Sequence, residues 1–364
     1  MSLENLVNKN VLSQPVYEPG KPIETVAREL GLDPAGIAKL ASNESPFGSS
    51  PKAVAAVKAW ADDAWLYPDG GCYELKNKLA AIRGVAPEQL ILGNGSNEII
   101  ELLGHTFLGK GDEVIFGSQA FIVYKLVTLL FGAKPVEIPM PQFCHDLDAM
   151  ARAVTDRTRL IFIASPNNPT GTANTESDLM EFARSLPEHV VFCLDEAYAE
   201  YSENPPDLRP LISEGRNVIC MRTFSKIFGL AGFRIGYGYA SRDMIALLNR
   251  IRQPFNVNTA AQVAALAALD DDRFIQDCRT LNLANGKVLA DGLRELGLNP
   301  VPSEANFLLV EFVNAMEAFH TLQVNGVIVR PLQPYNLPNH LRLTIGTQEQ
   351  NLKMLNILSD YLLP

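Results

Sequence analysis

Apolar residues recur along this chain in two alternating rhythms. Short runs that are apolar at successive positions read as strands buried on both faces: "LILG" (90–93), "DEVIFG" (112–117), "KPVEIP" (134–139), "RLIFIASP" (159–166), "VVFCLDEAY" (190–198), "NVICMRTF" (217–224) and "FRIGYGYA" (233–240). Between several of them the apolar positions fall three and four apart, as in "NEIIELLGHTFL" and "TESDLMEFARSL", the period of an amphipathic helix. Strands of the first kind separated by helices of the second imply an α/β fold with a mostly parallel central sheet sandwiched by helices.

The pattern changes at both ends. The first 50 residues are rich in Pro, Asn, Ser and Gly around one short helical stretch, "IETVARELG", and read as an arm lying over another unit. The helical rhythm begins with "SPKAVAAVKAWADDA". After "PFNVNTA" an alanine-rich helix, "AAQVAALAAL", leads into a long helical pattern, then "NFLLVEF", a helix, "GVIVRPL", "LRLTIGT" and a closing helix. That tail reads as a smaller α+β domain. At 364 residues the chain is long for a single core. The expected division is an arm at 1–45 that partly joins the small domain, a large domain at 46–255, and a linking helix with the small domain at 256–364.

Composition narrows the function classes. With 47% hydrophobic and 20% charged residues the chain is of ordinary soluble globular type. A net charge of −10 argues against a nucleic-acid partner, although two or three arginines can still hold a small anion. The five cysteines are scattered and free of CxxC spacing, and the histidines form no metal-binding pair, so reduced thiols and no metal are expected. The N-terminus lacks a signal-peptide pattern, and no apolar run reaches the roughly 18 residues that span a bilayer. A cytoplasmic chain with no membrane partner is expected.

Ligands of open α/β sheets bind where strands end, and four groups fall there. "SPNNPTG" offers Asn168 beside a rigid turn, "LDEAY" offers Asp195 and Tyr198, and "TFSK" offers Ser225 and Lys226. "GNGSNE" (93–98) opens a helix with the backbone N–H groups of Gly95, Ser96 and Asn97. Each alone has a structural reading, as a cap, a turn, a salt-bridge partner or a lysine whose head reaches solvent. Their recurrence at successive strand ends is what those readings leave unexplained. Lys226 stands before "IFGL", and a partly desolvated lysine has a lowered pKa and becomes nucleophilic.

The ordered set "NGSNE", Tyr124, "NNPTG", "DEAY", "TFSKIFGLAGFRIG" and "LRLTIGT" resembles the fold-type I aminotransferases that depend on pyridoxal 5'-phosphate. The resemblance runs from "ASNESPFG" to "LRLTIGT", almost the whole chain. Within that class-II aminotransferase group it is most similar to the histidinol-phosphate aminotransferases, through "ASNESPFG", "YPDGGCYELKNKLA", "GNGSNEIIELL" and "GVIVRPL".

The resemblance implies a role for each residue. Lys226 would bind the cofactor aldehyde covalently and shuttle a proton. Asp195 would pair with the ring nitrogen, Tyr198 and Asn168 would contact the ring oxygen, and Tyr124 would stack on the ring. The phosphate would be held by Gly95, Ser96 and Asn97 at the helix start, by Ser225, and by Arg234, whose fork suits a dianion. Tyr67, in "WLYPDG", would reach the site of a neighbouring subunit, making a homodimer. Arg342 would clamp a substrate carboxylate and Arg330 a substrate phosphate, with Asn168 and Tyr67 also near substrate. One departure is that "SQAFIVY" lacks the proline the family often carries before its stacking tyrosine.

The activity this implies is transamination of L-histidinol phosphate with 2-oxoglutarate in histidine biosynthesis, giving 3-(imidazol-4-yl)-2-oxopropyl phosphate and L-glutamate. An aromatic amino acid aminotransferase and a threonine-phosphate decarboxylase share these motifs. A cofactor-binding regulator is disfavoured by the absence of a basic patch.

Overall fold

A computed structural model describes residues 2–12, 14–16 and 20–363. Its central sheet has seven strands: β1 (Leu90–Gly93), β2 (Glu113–Gly117), β3 (Lys134–Ile138), β4 (Thr158–Ala164), β5 (Val191–Asp195), β6 (Val218–Thr223) and β7 (Gly236–Ala240), in the order β1-β7-β6-β5-β4-β2-β3. Strands β3, β2, β4, β5 and β6 pair in parallel, while β7 is antiparallel to both of its neighbours, β6 and β1. The largely parallel sheet expected from the continuous apolar runs is therefore present, with one reversed strand.

Those runs are mostly apolar because the sheet has a core on each face. Along β4, Ile161 and Ile163 enter one core while Leu160 and Phe162 enter the other, and β5 divides Phe192 and Leu194 from Val191 and Cys193 in the same way. Side chains alternate across a strand, so a polar residue in these runs needs a partner: buried Glu113 pairs with Arg157 and buried Arg222 with Glu196. Helices α1 (Pro51–Trp60), α2 (Gly95–Phe107), α3 (Ile122–Leu130), α4 (Thr259–Ala268) and α5 (Asp272–Glu295) cover the sheet or lead away from it. Helix α4 contributes Ala261, Ala264, Ala265 and Ala268 to the same core as Ala53 of α1. Helix α5 starts against that core at Cys278 and ends in a separate one at Leu289 and Leu293.

That third core belongs to a three-stranded antiparallel sheet, β9-β10-β8, formed by β8 (Phe307–Glu311), β9 (Arg330–Leu332) and β10 (Leu337–Thr344). The stretch "GVIVRPL", which reads as one strand, is divided. Val327–Ile328 pairs in parallel with Ala38–Lys39 of the N-terminal segment, and only Arg330–Leu332 joins β10. Ala38 and Leu40 are buried with the small sheet.

The reversal of β7 sets up one edge of the large sheet. In the parallel strands the chain leaves this edge after Gly93, Ala164, Asp195 and Thr223; in β7 it enters there, just after Arg234. The registers Gly93 to Gly236 and Thr223 to Gly236 place the two kinds of end side by side. Arg234 has φ 58°, in the left-handed region, so the strand read as starting at Phe233 begins only at Gly236. Gly236 is required: a Cβ there would lie 2.7 Å from the Ser96 nitrogen and 2.8 Å from the Gly95 carbonyl carbon.

Candidate active site

A pocket of about 200 Å³ opens at this edge. Of the residues singled out in the sequence, Gly95, Ser96, Asn97, Asn168, Asp195, Tyr198, Ser225, Lys226, Arg234, Arg330 and Arg342 all line it. They come from seven strands in two sheets, at the strand ends except for Arg342 within β10, which explains their scatter along the chain.

Lys226 is half-buried, with Nζ donating to the Ser42 carbonyl at 3.2 Å and lying 5.4 Å from the centre of the Tyr198 ring. Burial lowers its pKa to about 7; Arg342 and Arg234 push in the same direction, while Glu44 and Asp195 oppose. The lysine is thus poised to be a neutral amine near physiological pH. Asp195 is buried at the end of β5, and burial raises its pKa to about 6. Hydrogen bonds from the Tyr124 hydroxyl (2.8 Å, to Oδ2) and the Ala197 N–H (3.1 Å, to Oδ1) act against that rise. A buried carboxylate of this kind calls for a cationic partner inside the pocket.

The Tyr198 hydroxyl accepts from Asn43 Nδ2 at 2.9 Å. Its own proton is thereby left to be donated elsewhere. Asn43 is itself held by Thr344, whose hydroxyl accepts from the Asn43 N–H and donates to Asn43 Oδ1. Asn168 Oδ1 accepts from Arg342 Nη1, and Arg342 Nη2 donates to the Ala41 carbonyl, each at 2.5 Å. Arg330 and Arg342 face each other directly across the β9–β10 ladder. Opposed residues share one face of a sheet, so both guanidiniums serve the same pocket.

At the other end lies a cradle for an anion. Helix α2 begins at Gly95, and Asn94 before it makes no side-chain capping bond, so the first N–H groups of the helix face the pocket uncapped. Arg234 Nη1 lies 3.4 Å from Ser225 Oγ. Gly95 has φ +74°, and a Cβ on it would lie 2.9 Å from Arg234 Nη2. Backbone donors, a hydroxyl and a guanidinium converge there.

Two expectations need correcting or qualifying. Tyr124 does not line the pocket: its ring is fully buried and stacked on Phe162 (centroids 4.6 Å, 3° between planes), with its hydroxyl on Asp195. Phe121, three residues earlier, does line the pocket. Tyr67 is 84% exposed, stacked on Phe255 at 5.1 Å, and outside the pocket of its own chain. Sequence reasoning missed Phe121, Asn43, Ser42 and Tyr335, all on the wall. Asn43 lies within "ASNESPFG", so that motif carried a usable signal; Tyr335 carried none.

Residues 35–358 match the family model described as aminotransferase class I and II. The histidinol-phosphate aminotransferase of Akkermansia muciniphila is 43% identical over 363 residues, covering 100% of both chains. Histidinol-phosphate aminotransferase 1 of Idiomarina loihiensis is 47% identical over 351 residues, covering 95% of each. Among solved structures, the histidinol-phosphate aminotransferase of Sinorhizobium meliloti in complex with pyridoxal-5'-phosphate superposes with a TM-score of 0.90 at 27% identity, over 98% of this chain and 97% of that one.

Proposed function

The chain belongs to the class I and II aminotransferase family, and from that premise we propose that it transfers the amino group between L-histidinol phosphate and 2-oxoglutarate with pyridoxal 5'-phosphate as cofactor, in histidine biosynthesis. The observation that carries the substrate is the pair Arg330 and Arg342, directly opposed in the ladder and lining the pocket that holds Lys226. Two guanidiniums suit a phosphate dianion better than a single carboxylate. The names of the relatives point the same way and do not favour an aromatic amino acid aminotransferase or a decarboxylase.

The residues fit the cofactor. The uncapped start of α2 with Ser225 and Arg234 matches its phosphate, and buried Asp195 matches a protonated ring nitrogen. Tyr198, with its hydroxyl proton to spare, and Asn168 match the ring oxygen, and Phe121 offers an apolar face. Lys226 would hold the aldehyde carbon covalently. Bound there, the cofactor supplies an electron sink for the pair released when the substrate Cα loses its proton.

The chain's own residues set up that step. Asp195 would keep a proton on the ring nitrogen, and its charge is stabilised by Tyr124 and the Ala197 N–H. Lys226, neutral above about pH 7, would be the base that takes the substrate Cα proton. Arg342 and Arg330 orient the substrate through its anion, and Asn168 couples Arg342 to the cofactor end of the pocket. The two substrates use one site in turn, histidinol phosphate through its phosphate and glutamate through its α-carboxylate.

The working form is a cytoplasmic homodimer in which Tyr67 serves the partner's pocket. Supporting this, Trp65, Leu66, Tyr67, Tyr73 and Phe255 are all exposed near one turn, an apolar surface that a second copy would cover. Steady-state assays comparing histidinol phosphate, phenylalanine and threonine phosphate as amine donors test the reading. It requires histidinol phosphate to give the highest kcat/KM.

A further inference from the structure

Behind the pocket wall, buried polar atoms without hydrogen-bond partners gather in one region. They are both ring nitrogens of His145 and the side-chain oxygens of Asn167 and Asn174. The three residues are neighbours: Asn174 Nδ2 donates to the His145 carbonyl at 3.1 Å, and the Asn167 side chain faces the imidazole. The ring also packs on Gly117 at the end of β2, where an added Cβ would lie 2.7 Å from Nδ1.

The orientation of the Asn167 amide is determined by its other contacts. Its Nδ2 donates to the Gln119 carbonyl and to Thr170 Oγ1, both at 2.9 Å, so the atom turned elsewhere is the acceptor Oδ1. Gln119 is two residues before Phe121, and Asn167 immediately precedes Asn168. Asn167 therefore ties the segment carrying one pocket-wall residue to the turn carrying another. What it lacks is a donor for Oδ1, and the His145 imidazole, which also approaches the Ala164 backbone, stands beside it.

We propose that His145 is a positioning residue for this site: its neutral imidazole donates an N–H to Asn167 Oδ1 and thereby holds Phe121 and Asn168 at the pocket wall. Burial lowers the His145 pKa to about 4, although the Ala164 backbone and Asn167 oppose the shift, so the ring is neutral throughout the working range with one N–H to give. That bond gives Asn167 Oδ1 a donor and one imidazole nitrogen an acceptor, and leaving such groups unpaired is costly. The inference rests on the cofactor occupying the pocket as proposed above, with Asn168 at the ring oxygen.

The test is a pH titration of the absorbance of the lysine-bound cofactor in holoenzyme. Its midpoint reports the groups around the ring oxygen. His145→Leu, which lacks a donor, should shift the midpoint by roughly 0.5–1 pH unit, the scale of one lost hydrogen bond. It should also lower kcat/KM for histidinol phosphate about 10-fold, while His145→Gln, which supplies an amide N–H, restores most of both. Equal losses of Tm in the two variants with the midpoint unmoved would make His145 a packing residue and overturn the inference. Should His145→Leu not fold, nitrogen-15 NMR of the wild-type holoenzyme decides: an imidazole N–H that contacts the Asn167 side chain supports the bond, and one directed at the Ala164 carbonyl or exchanging rapidly refutes it. The titration needs only bound cofactor, so a wild-type enzyme that ignores histidinol phosphate would break the substrate reading and leave this test intact.

Discussion

The hydroxyl of Tyr124 donates to Asp195 Oδ2 across 2.8 Å, with both residues buried behind the pocket. The bond stabilises the charged carboxylate against the burial that drives its pKa to about 6. Tyr124→Phe removes it, so the Asp195 pKa rises further and the acidic limb of the kcat/KM profile moves to higher pH. The expected loss near neutrality is about 10-fold, the scale of one charged hydrogen bond. An acidic limb left in place would show that Tyr124 only fills space.

Removal of the cofactor should expose two opposite pH dependences of stability. Asp195 titrates at about 6 in the fold against an ordinary 3.8, so between those values the folded chain holds a proton that the unfolded one has released, and apoenzyme stability falls as pH rises from about 4 to 6. Lys226 titrates at about 7 against 10.5, so the unfolded chain holds the extra proton and stability rises from about pH 7 to 10. Calorimetric Tm values of the apoenzyme against pH check both signs. Asp195→Asn should flatten the first slope and Lys226→Met the second; variants that track wild type at every pH would contradict the assignments.

Arg330 is the specificity prediction. A charge-assisted hydrogen bond is worth about 1.5–3 kcal/mol, so Arg330→Ala should cost about 10- to 100-fold in kcat/KM for histidinol phosphate. Phenylalanine, held mainly by Arg342 through its carboxylate, should lose far less. Equal losses on both donors would make Arg330 structural and bring the aromatic aminotransferase reading forward.

Mixing Lys226→Ala chains with Tyr67→Phe chains tests shared sites. If Tyr67 serves the partner's pocket, a mixed dimer contains one pocket with both residues intact, and activity should reappear above that of either variant alone. Sedimentation of a fully active monomer would refute the arrangement.

Much of the fold was legible because the sheet has a core on both faces. Runs such as 160–164 are apolar throughout, and the pocket residues collect where such runs stop, as at Asn168, Asp195 and Lys226. Strand direction is not written in an apolar pattern, so the reversal of β7 that brings Arg234 to the same edge could not be read. The choice between Phe121 and Tyr124 was lost for a similar reason. The two lie on successive turns of one apolar stretch, and only the packing of Tyr124 on Phe162 decides which ring reaches the pocket. "GVIVRPL" divides between two partners because the N-terminal segment pairs with Val327–Ile328, a contact almost 300 residues away in sequence.

In the proposed function one pocket, built around Lys226, takes an amino group from histidinol phosphate and gives it to 2-oxoglutarate. The most direct measurement is the half-reaction followed by absorbance in a stopped flow, with purified holoenzyme and one amine at a time. L-Histidinol phosphate should deplete the lysine-bound cofactor signal at lower concentration and higher rate than phenylalanine or threonine phosphate. Subsequent 2-oxoglutarate should restore it fully, and Lys226→Ala should show neither phase. A signal that phenylalanine depletes efficiently while histidinol phosphate leaves it unchanged would contradict the account.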